Sequence, residues 1–202
     1  MIIDGREMTP AAGESVLEAA GRAGVRIPTL CHHPALPPDG SCRVCLVEVA
    51  GRGGLHPACV LPAADAMVVH TDTAPVREAR ATILRLLLSR YEPRAAGRRD
   101  ELAALAARHG VAVPAERRAA VVGRGDSNPF IAVDLAACVR CWRCVRACAL
   151  LNGVAAIGVF GRGDRTHVGF WLDGPSPIPI GASSCWRPRC RRRVTRVRTG
   201  GS

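Results

Sequence analysis

The sequence contains no lysine. All 28 basic residues among its 202 are arginines, and 17 acidic residues leave a formal net charge of +11. The excess is uneven, because the last sixteen residues contain seven arginines and no acid. Aromatic residues are also scarce, with one Tyr, three Phe and three Trp, so a base-stacking platform is poorly supplied. The sequence therefore predicts no nucleic-acid partner, despite its charge.

Long apolar runs are absent as well. No stretch approaches the roughly 18 apolar residues of a membrane span. The opening segment MIIDGREMTP lacks the basic region and apolar core of an export signal. We therefore expect a cytoplasmic protein, or one peripheral to a membrane complex, with no transmembrane segment. In that compartment, ten cysteines favour metal binding over a disulfide framework.

Residues 1–75 predict a compact unit of strands and one helix. Asp4-Gly5 is a hairpin signal, because that pair tolerates positive φ. The stretch ESVLEAAGRAGVRIP has apolar residues at helical spacing and is expected to end near Gly24. CLVEVAG and AMVVHT are candidates for two further strands.

Residues 76–127 predict a helical segment and a linker. An amphipathic helix is expected over residues 75–92, with Val76, Ile83, Leu84, Leu87 and Leu88 on its apolar face. That face could pack on the first unit or dock a partner, and packing is the expectation. A second helix is expected from Asp100, a good N-cap, to Gly110.

Residues 128–173 predict a second small domain. NPFIAVD is a strand candidate, and Asn152-Gly153 is expected to end a short helix. VAAIGVF and THVGFWL could then pair around the turn from Gly161 to Asp164. Residues 174–202, rich in Pro, Ser and Arg, predict a basic, disordered tail.

The first metal-binding pattern is C-x10-C-x2-C-x13-C, formed by Cys31, Cys42, Cys45 and Cys59. A [2Fe–2S] cluster needs four thiolates, and the loop around Gly40 and Ser41 lets backbone N–H groups approach it. The alternatives are a structural zinc site, which more often has two close ligand pairs, and unligated core cysteines. His32, His33 and His56 could replace a thiolate, but we expect them on loop surfaces.

The second pattern is C-x2-C-x2-C-x3-C, formed by Cys138, Cys141, Cys144 and Cys148. Three cysteines that follow one another at intervals of three residues supply three corners of a [4Fe–4S] cluster. Tetrahedral zinc gains little from a third cysteine so close. The intervening Arg140, Arg143 and Arg146 would favour the reduced cluster, or they form a solvated basic face.

The fourth ligand of the second pattern has three candidates. In two-cluster ferredoxins the last cysteine of such a run ligates the other cluster and a proline follows, but here Ala149 follows. The tail adds only Cys185 and Cys190, which cannot complete a second set of four. We therefore expect Cys148 to be the ligand, with the two tail cysteines as alternatives.

The stretches CHHPALPPDGSCRVCLVEV and DSNPFIAVDLAACVRCWRCVRAC resemble the N-terminal iron–sulfur region of molybdopterin-dependent formate dehydrogenase alpha subunits. They are more distantly similar to the iron–sulfur large subunit of respiratory complex I and to the small diaphorase subunit of NAD-reducing hydrogenases. The resemblance implies an α+β chain: a [2Fe–2S] ferredoxin-like domain of the β-grasp type, a helical linker segment and a [4Fe–4S] region like bacterial ferredoxins. It also implies a molybdopterin catalytic subunit or an NADH-oxidising flavoprotein as redox partner.

Three departures from that family limit the implied activity, and one of them is the degenerate second ferredoxin motif described above. RYEPRAAGRRDEL lacks the histidine and cysteines that hold a further [4Fe–4S] cluster in the family, and the molybdopterin domain is missing. We therefore expect an electron-transfer protein with no catalytic centre of its own. The composition of the tail resembles that of GC-rich DNA translated in the wrong reading frame, which would make the chain a truncated product. The rival interpretation is that the chain is a natural short electron carrier. The rival function is a zinc-stapled, basic interaction module without redox activity.

Overall fold

The computed structural model describes residues 1–92, 100–113, 124–125 and 133–170, and it divides the chain into two compact units. The first unit consists of Met1–His32, Pro38–Ser89 and Pro93–Arg117, and the second of His33–Pro37, Arg90–Glu92 and Arg118–Ser202. Helices and strands occur in both, so the predicted α+β class is confirmed. None of the described helices is long and apolar enough to cross a lipid bilayer. The tail predicted for residues 174–202 lies outside the described residues.

The first unit is built on a five-stranded mixed sheet with the spatial order β2–β1–β5–β3–β4. Its strands are β1 (Ile2–Ile3), β2 (Arg6–Glu7), β3 (Leu46–Val49), β4 (Arg52–Pro57) and β5 (Val68–His70). Strand β1 pairs in parallel with β5, and every other pairing is antiparallel. The central strand β5 is thus the last of the five in the chain.

Strands β1 and β2 form the hairpin that Asp4-Gly5 predicts. Asp4 (φ 47°) and Gly5 (φ 80°) both have a left-handed backbone, as a two-residue type I′ turn requires. The Asp4 carboxylate accepts hydrogen bonds from the backbone N–H (2.8 Å) and the hydroxyl of Thr71. These bonds fasten the turn to the segment that follows β5.

Strand β4 is missing from the sequence prediction, which gave only two strands after the helix. Gly53 and Gly54 interrupt the alternation of apolar and polar residues in RGGLHP, so the segment has no strand pattern of its own. Its conformation comes instead from pairing with β3, in a register that places Leu46 opposite Pro57. The Ala58 N–H then donates to the Cys45 carbonyl (3.0 Å), which brings the backbone at Cys45 close to Cys59.

Helix α1 (Val16–Arg22) forms where the sequence predicts it. Ser15 and Glu18 make a reciprocal capping box, in which each side chain accepts from the other's backbone N–H. The helix buries Val16, Ala19 and Ala20. These side chains pack into the apolar core with buried residues of the sheet, including Ile3, Val47 and Val69, and with Cys45 and Cys59.

Helix α2 (Ala74–Leu88) begins at Thr73, whose hydroxyl accepts from the Val76 N–H (3.4 Å) and donates to Glu48 (2.7 Å). Helix α3 (Glu101–Arg108) begins at Asp100, as predicted. The buried residues of α2 are Val76, Arg80, Leu84 and Leu88. Because α2 packs against β3 and α3, its apolar face has the predicted packing role.

Two leucines of α2 test that packing role. Leu84 is 0% exposed and Leu86 is 65% exposed. We expect Leu84→Ala to lower the free energy of unfolding by about 2–5 kcal/mol, because it leaves a cavity. Leu86→Ala is the matched control and should change it by less than about 0.5 kcal/mol. Urea unfolding of the full chain measures both, and equal losses would contradict the packing role.

The described part of the second unit contains short strands, one longer helical segment and a 3-10 turn (Gly163–Arg165). Of the strand predicted in NPFIAVD, only β7 (Val133–Asp134) lies in the described residues, paired with β6 (Arg124–Gly125). Helix α4 (Arg143–Arg146) continues as a π-helical turn (Ala147–Leu151) and ends before Gly153 (φ 68°), as predicted. The predicted pair is also present, with β8 (Ile157–Phe160) antiparallel to β9 (His167–Phe170).

Candidate metal centres

The four cysteines of the first pattern are all buried in the first unit. Cys31 lies after α1, Cys42 and Cys45 lie in the loop before β3, and Cys59 follows β4. Contacts between thiols join Cys42 to Cys31, Cys31 to Cys59, and Cys59 to Cys45. The fold therefore gathers sulfurs from three separate segments into one group.

Hydrogen bonds among these thiols change their acidity in opposite directions. The bond with Cys42 lowers the pKa of Cys31, and the bond with Cys59 lowers the pKa of Cys45 to about 7. The pKa values of Cys42 and Cys59 are raised, chiefly by hydrogen bonding to Cys31 and in addition by burial. Since the thiolate is the form that ligates metals, this mutual contact shows a group of sulfurs close enough to share charge.

Backbone and hydroxyl donors surround this group. The Cys42 N–H helps to lower the pKa of Cys31, and the Ser41 hydroxyl oxygen nearby is buried with no hydrogen-bond partner in the described part of the chain. Gly40 (φ 67°) and Arg43 (φ 56°) turn the loop through left-handed conformations. A side chain at Gly40 would place its Cβ 3.3 Å from Val60, so only glycine fits there without a shift. The loop around Gly40 and Ser41 thus has the donor-rich character that the sequence predicts.

The three histidines near the first pattern are half-buried, whereas surface positions were expected. His56 lies on β4, and its Nε2 is buried, as is the Nδ1 of His32; neither atom has a hydrogen-bond partner within the described part of the chain. His33 Nδ1 accepts from the Ala35 N–H (3.1 Å). In residues 1–92, 100–113, 124–125 and 133–170, no group of three or more His, Cys, Asp or Glu side chains is arranged to hold a single metal ion.

The second pattern lies on a loop and the helical segment that follows it. Cys138 and Cys141 precede α4, Cys144 lies on α4, and Cys148 lies on the π-helical turn. Arg140 (φ 52°) and Trp142 (φ 54°) are left-handed, which is uncommon for large side chains. These two positions let the backbone curl between the first three cysteines.

Cys148 is 1% exposed, while Cys138, Cys141 and Cys144 are half-buried. Cys148 follows Cys144 by four residues on one continuous helical segment, so the two side chains lie on the same side of that segment. Its carbonyl accepts the N–H of Val154 (3.1 Å), which fixes the chain as it leaves the helix. Cys185 and Cys190, the alternative ligands, lie outside the described residues.

Arg143 points at the second pattern. Its Nε donates to the Cys141 sulfur at 3.4 Å, and the residue is only 6% exposed, so it is no part of a solvated basic face. Arg146 instead donates to the Pro37 carbonyl at 2.7 Å. The Trp142 indole Nε1, which can only donate, is buried with no partner among the described residues. A guanidinium and an orphaned donor within this loop fit an anionic, sulfur-rich group.

Arg80 is a buried residue beside the first cysteine pattern that the sequence prediction missed. It lies on the buried face of α2 between Val76 and Leu84, at a spacing of four residues from each. Its Nε donates to the Val44 carbonyl (3.1 Å), and its Nη2 donates to the carbonyls of Leu46 (3.1 Å) and Thr71 (3.3 Å). In the sequence, Arg80 was visible as a cation within the apolar stripe of the predicted helix. A charged residue at such a position needs specific partners.

Comparison with known proteins gives two domain matches. Residues 1–74 match the family described as a 2Fe-2S iron-sulfur cluster binding domain. Residues 128–176 match the ferredoxin-like domain of NADH-quinone oxidoreductase subunit 3. Each match contains one of the two cysteine patterns.

Similar full-length proteins include subunits of respiratory NADH oxidoreductases. The chain is 38% identical over 176 residues to an NADH-quinone oxidoreductase subunit of Rhizobium meliloti (strain 1021), and the match covers 82% of this chain and 20% of that protein. It is 33% identical over 180 residues to the mitochondrial NADH-ubiquinone oxidoreductase 78 kDa subunit of Candida albicans, covering 85% and 25%. The chain thus spans a quarter or less of the length of these two relatives.

A solved structure of an NAD⁺-reducing [NiFe]-hydrogenase in the H₂-reduced state superposes with a TM-score of 0.74 at 32% identity. The superposition covers 85% of this chain and 74% of that one.

Proposed function

Since the chain belongs to the family of iron–sulfur electron-transfer modules found in NADH-quinone oxidoreductases and NAD⁺-reducing hydrogenase, we propose that it relays single electrons between two clusters within such a complex. The two domain matches confirm the predicted [2Fe–2S] and [4Fe–4S] cofactors and favour electron transfer over the zinc-stapled alternative. The observation that carries the proposal is the pair of cysteine sets, one in each matched domain. When bound, each cluster accepts and releases one electron.

The first set fits a [2Fe–2S] cluster in its donor chemistry. We assign Cys31, Cys42, Cys45 and Cys59 as its ligands, because they are buried and joined by thiol contacts. Burial excludes water from the sulfurs. Backbone N–H groups supply hydrogen bonds that stabilise negative charge on sulfur and so tune the reduction potential. The buried Ser41 hydroxyl, which has no partner among the described residues, is available as a further donor.

The second set fits a [4Fe–4S] cluster. We assign Cys138, Cys141, Cys144 and Cys148 as its ligands, with Cys148 supported by its burial and its helical spacing from Cys144. Arg143 holds a positive charge at the Cys141 sulfur, and this charge should favour the more negative, reduced state. The Trp142 indole N–H is positioned as a further donor within the same loop.

We further infer a β-grasp fold for the first unit. The parallel pairing of β1 with the central strand β5 and the packing of α1 on the sheet support it. The proposed domains are a [2Fe–2S] domain over residues 1–75, a helical segment and linker over 76–127, a [4Fe–4S] domain over 128–173 and a basic tail over 174–202.

The proposed partners follow from what the relatives' names state. These relatives are NADH-quinone and NADH-ubiquinone oxidoreductases and an NAD⁺-reducing hydrogenase, so we propose an NADH-oxidising flavoprotein as one redox partner. A molybdopterin catalytic subunit, as in formate dehydrogenases, stays a prediction from the sequence resemblance. A cytoplasmic location, or one peripheral to a membrane complex, is proposed on the same grounds.

Anaerobic purification of the full chain tests the proposed function. We expect a brown protein with about six iron and about six acid-labile sulfide per chain, the sum of the two clusters. Dithionite should bleach it, and EPR of the reduced protein should show two signals that differ in their temperature dependence. A colourless protein with stoichiometric zinc would select the zinc-stapled module instead.

A further inference from the structure

We infer that Arg80 is a positioning residue of the [2Fe–2S] site, which holds the backbone on both sides of Cys45 and raises the reduction potential there through its buried charge. This inference rests on the proposed function, because it concerns a cluster held by Cys45 and its three companion cysteines. It adds a residue from a helix that contributes no cysteine to either pattern.

The hydrogen bonds of Arg80 define its positioning role. The residues that it binds through their carbonyls, Val44 and Leu46, are the two chain neighbours of Cys45. The third bond reaches Thr71, just after the central strand β5. One rigid guanidinium therefore fixes the start of β3 relative to α2 and β5. Lysine, with a compact ammonium group, cannot reproduce this planar fork of donors.

The charge of Arg80 is buried, and its hydrogen bonds go to backbone carbonyls rather than to a carboxylate. The residue is 3% exposed, and among the described carboxylates none forms a salt bridge with it. Burial lowers the pKa of its guanidinium, while Asp72 and the Cys45 thiolate raise it through their negative charge. Arginine nevertheless stays protonated in proteins, so a full positive charge is held near Cys45.

Such a charge is costly unless something negative offsets it. A buried cation loses its hydration, and carbonyl dipoles replace that only in part. A cluster held by four thiolates, Cys45 among them, would provide further negative charge. The field of Arg80 is felt elsewhere in the unit as well, since the pKa of His109 is lowered by burial and then by Arg80.

The expected redox consequence has a definite sign. Reduction of the [2Fe–2S] site adds one electron and makes the group more negative. In a redox titration, dithionite supplies that electron. A fixed positive charge in a poorly solvated interior stabilises that state relative to the oxidised one. Removing the charge should therefore lower the reduction potential.

Three substitutions at Arg80 separate charge from geometry. Arg80→Met and Arg80→Gln remove the charge, and Gln keeps two donors for the carbonyls. Arg80→Lys keeps the charge but loses the fork. We expect both neutral variants to shift the reduction equilibrium about tenfold towards the oxidised form, or about 59 mV for a one-electron couple. Arg80→Lys should stay near the wild-type potential but retain less iron during gel filtration with a chelator.

Arg85→Met is the matched control, because Arg85 is exposed on the same helix. It should leave both the potential and the iron content unchanged. The potentials come from EPR-monitored dithionite titrations of the full chain, with far-ultraviolet circular dichroism as the measure of folding.

Each outcome decides for or against the role of Arg80. Loss of the cluster in folded Met and Gln variants, with partial retention in Arg80→Lys, supports it. An unchanged potential in a neutral variant that keeps its cluster overturns it. Unfolding of all three variants also overturns it, since Arg80 would then serve the fold alone. If the wild-type chain holds no [2Fe–2S] cluster, the proposed function itself has failed, and this is seen before any variant is made.

Discussion

Cys45→Ser is expected to abolish the [2Fe–2S] signal and leave the [4Fe–4S] signal intact. Cys45 is fully buried and in contact with Cys59, so its loss removes a ligand from the interior of the first unit. Three sulfurs cannot satisfy two tetrahedral irons that also share two sulfides. Iron should fall from about six to about four per chain. Iron and sulfide assays with EPR of the reduced protein measure the change.

The reciprocal variant Cys138→Ser provides the control. It should remove the [4Fe–4S] signal and leave about two iron per chain in the first site. Because metal binding contributes to folding stability, each variant should also melt at a lower temperature than the wild type. Wild-type iron content in folded Cys45→Ser would refute the ligand assignment.

Cys148→Ser is expected to remove the [4Fe–4S] cluster, whereas Cys185→Ser should keep it. Cys148 is buried and lies on the same helical segment as Cys144, so it can act as a ligand with little rearrangement. The iron content of Cys148→Ser should fall to about two per chain. That of Cys185→Ser should stay at about six.

The opposite pattern has a clear meaning. If only Cys185→Ser loses the cluster, the fourth ligand comes from the tail and Cys148 is a core cysteine. Cys190→Ser distinguishes the two tail cysteines in the same assay. Circular dichroism of each variant shows whether a lost cluster reflects a lost ligand or an unfolded chain.

Local signals predicted much of the fold. Asp4-Gly5 predicted a turn because its two residues must have positive φ, and Asp100 predicted a helix start because its carboxylate can accept the Ala103 N–H. The cysteine spacings predicted the cofactors because metal chemistry constrains how closely sulfurs must follow one another. These features depend on residues near each other in the chain.

The features that were missed depend on distant residues. Strand β4 exists because β3 pairs with it, although Gly53 and Gly54 weaken its own preference. The burial of Arg80 depends on carbonyls from residues 9 to 36 positions away. The left-handed backbone of Trp142 is disfavoured by its own side chain. For Arg80 the local pattern showed only a cation within an apolar stripe, and for the other two no local pattern gave a signal.

The family comparison also refined the resemblance seen in the sequence. The formate dehydrogenase alpha subunit carried the first resemblance, with the complex I subunit and the hydrogenase diaphorase as more distant relatives. The family and structural matches are with the latter two kinds of complex. The cysteine spacing therefore identified the electron-transfer module, and the comparisons identified the kind of complex in which its relatives occur.

The strand order of the first unit determines when its thiols become buried during translation. All four cysteines of the first set precede β5, yet β5 occupies the centre of the sheet between β1 and β3. The ribosome therefore releases every one of these sulfurs before the strand that completes the surrounding core. A chain that has emerged only as far as residue 67 therefore presents all four thiols without the central strand that completes their core.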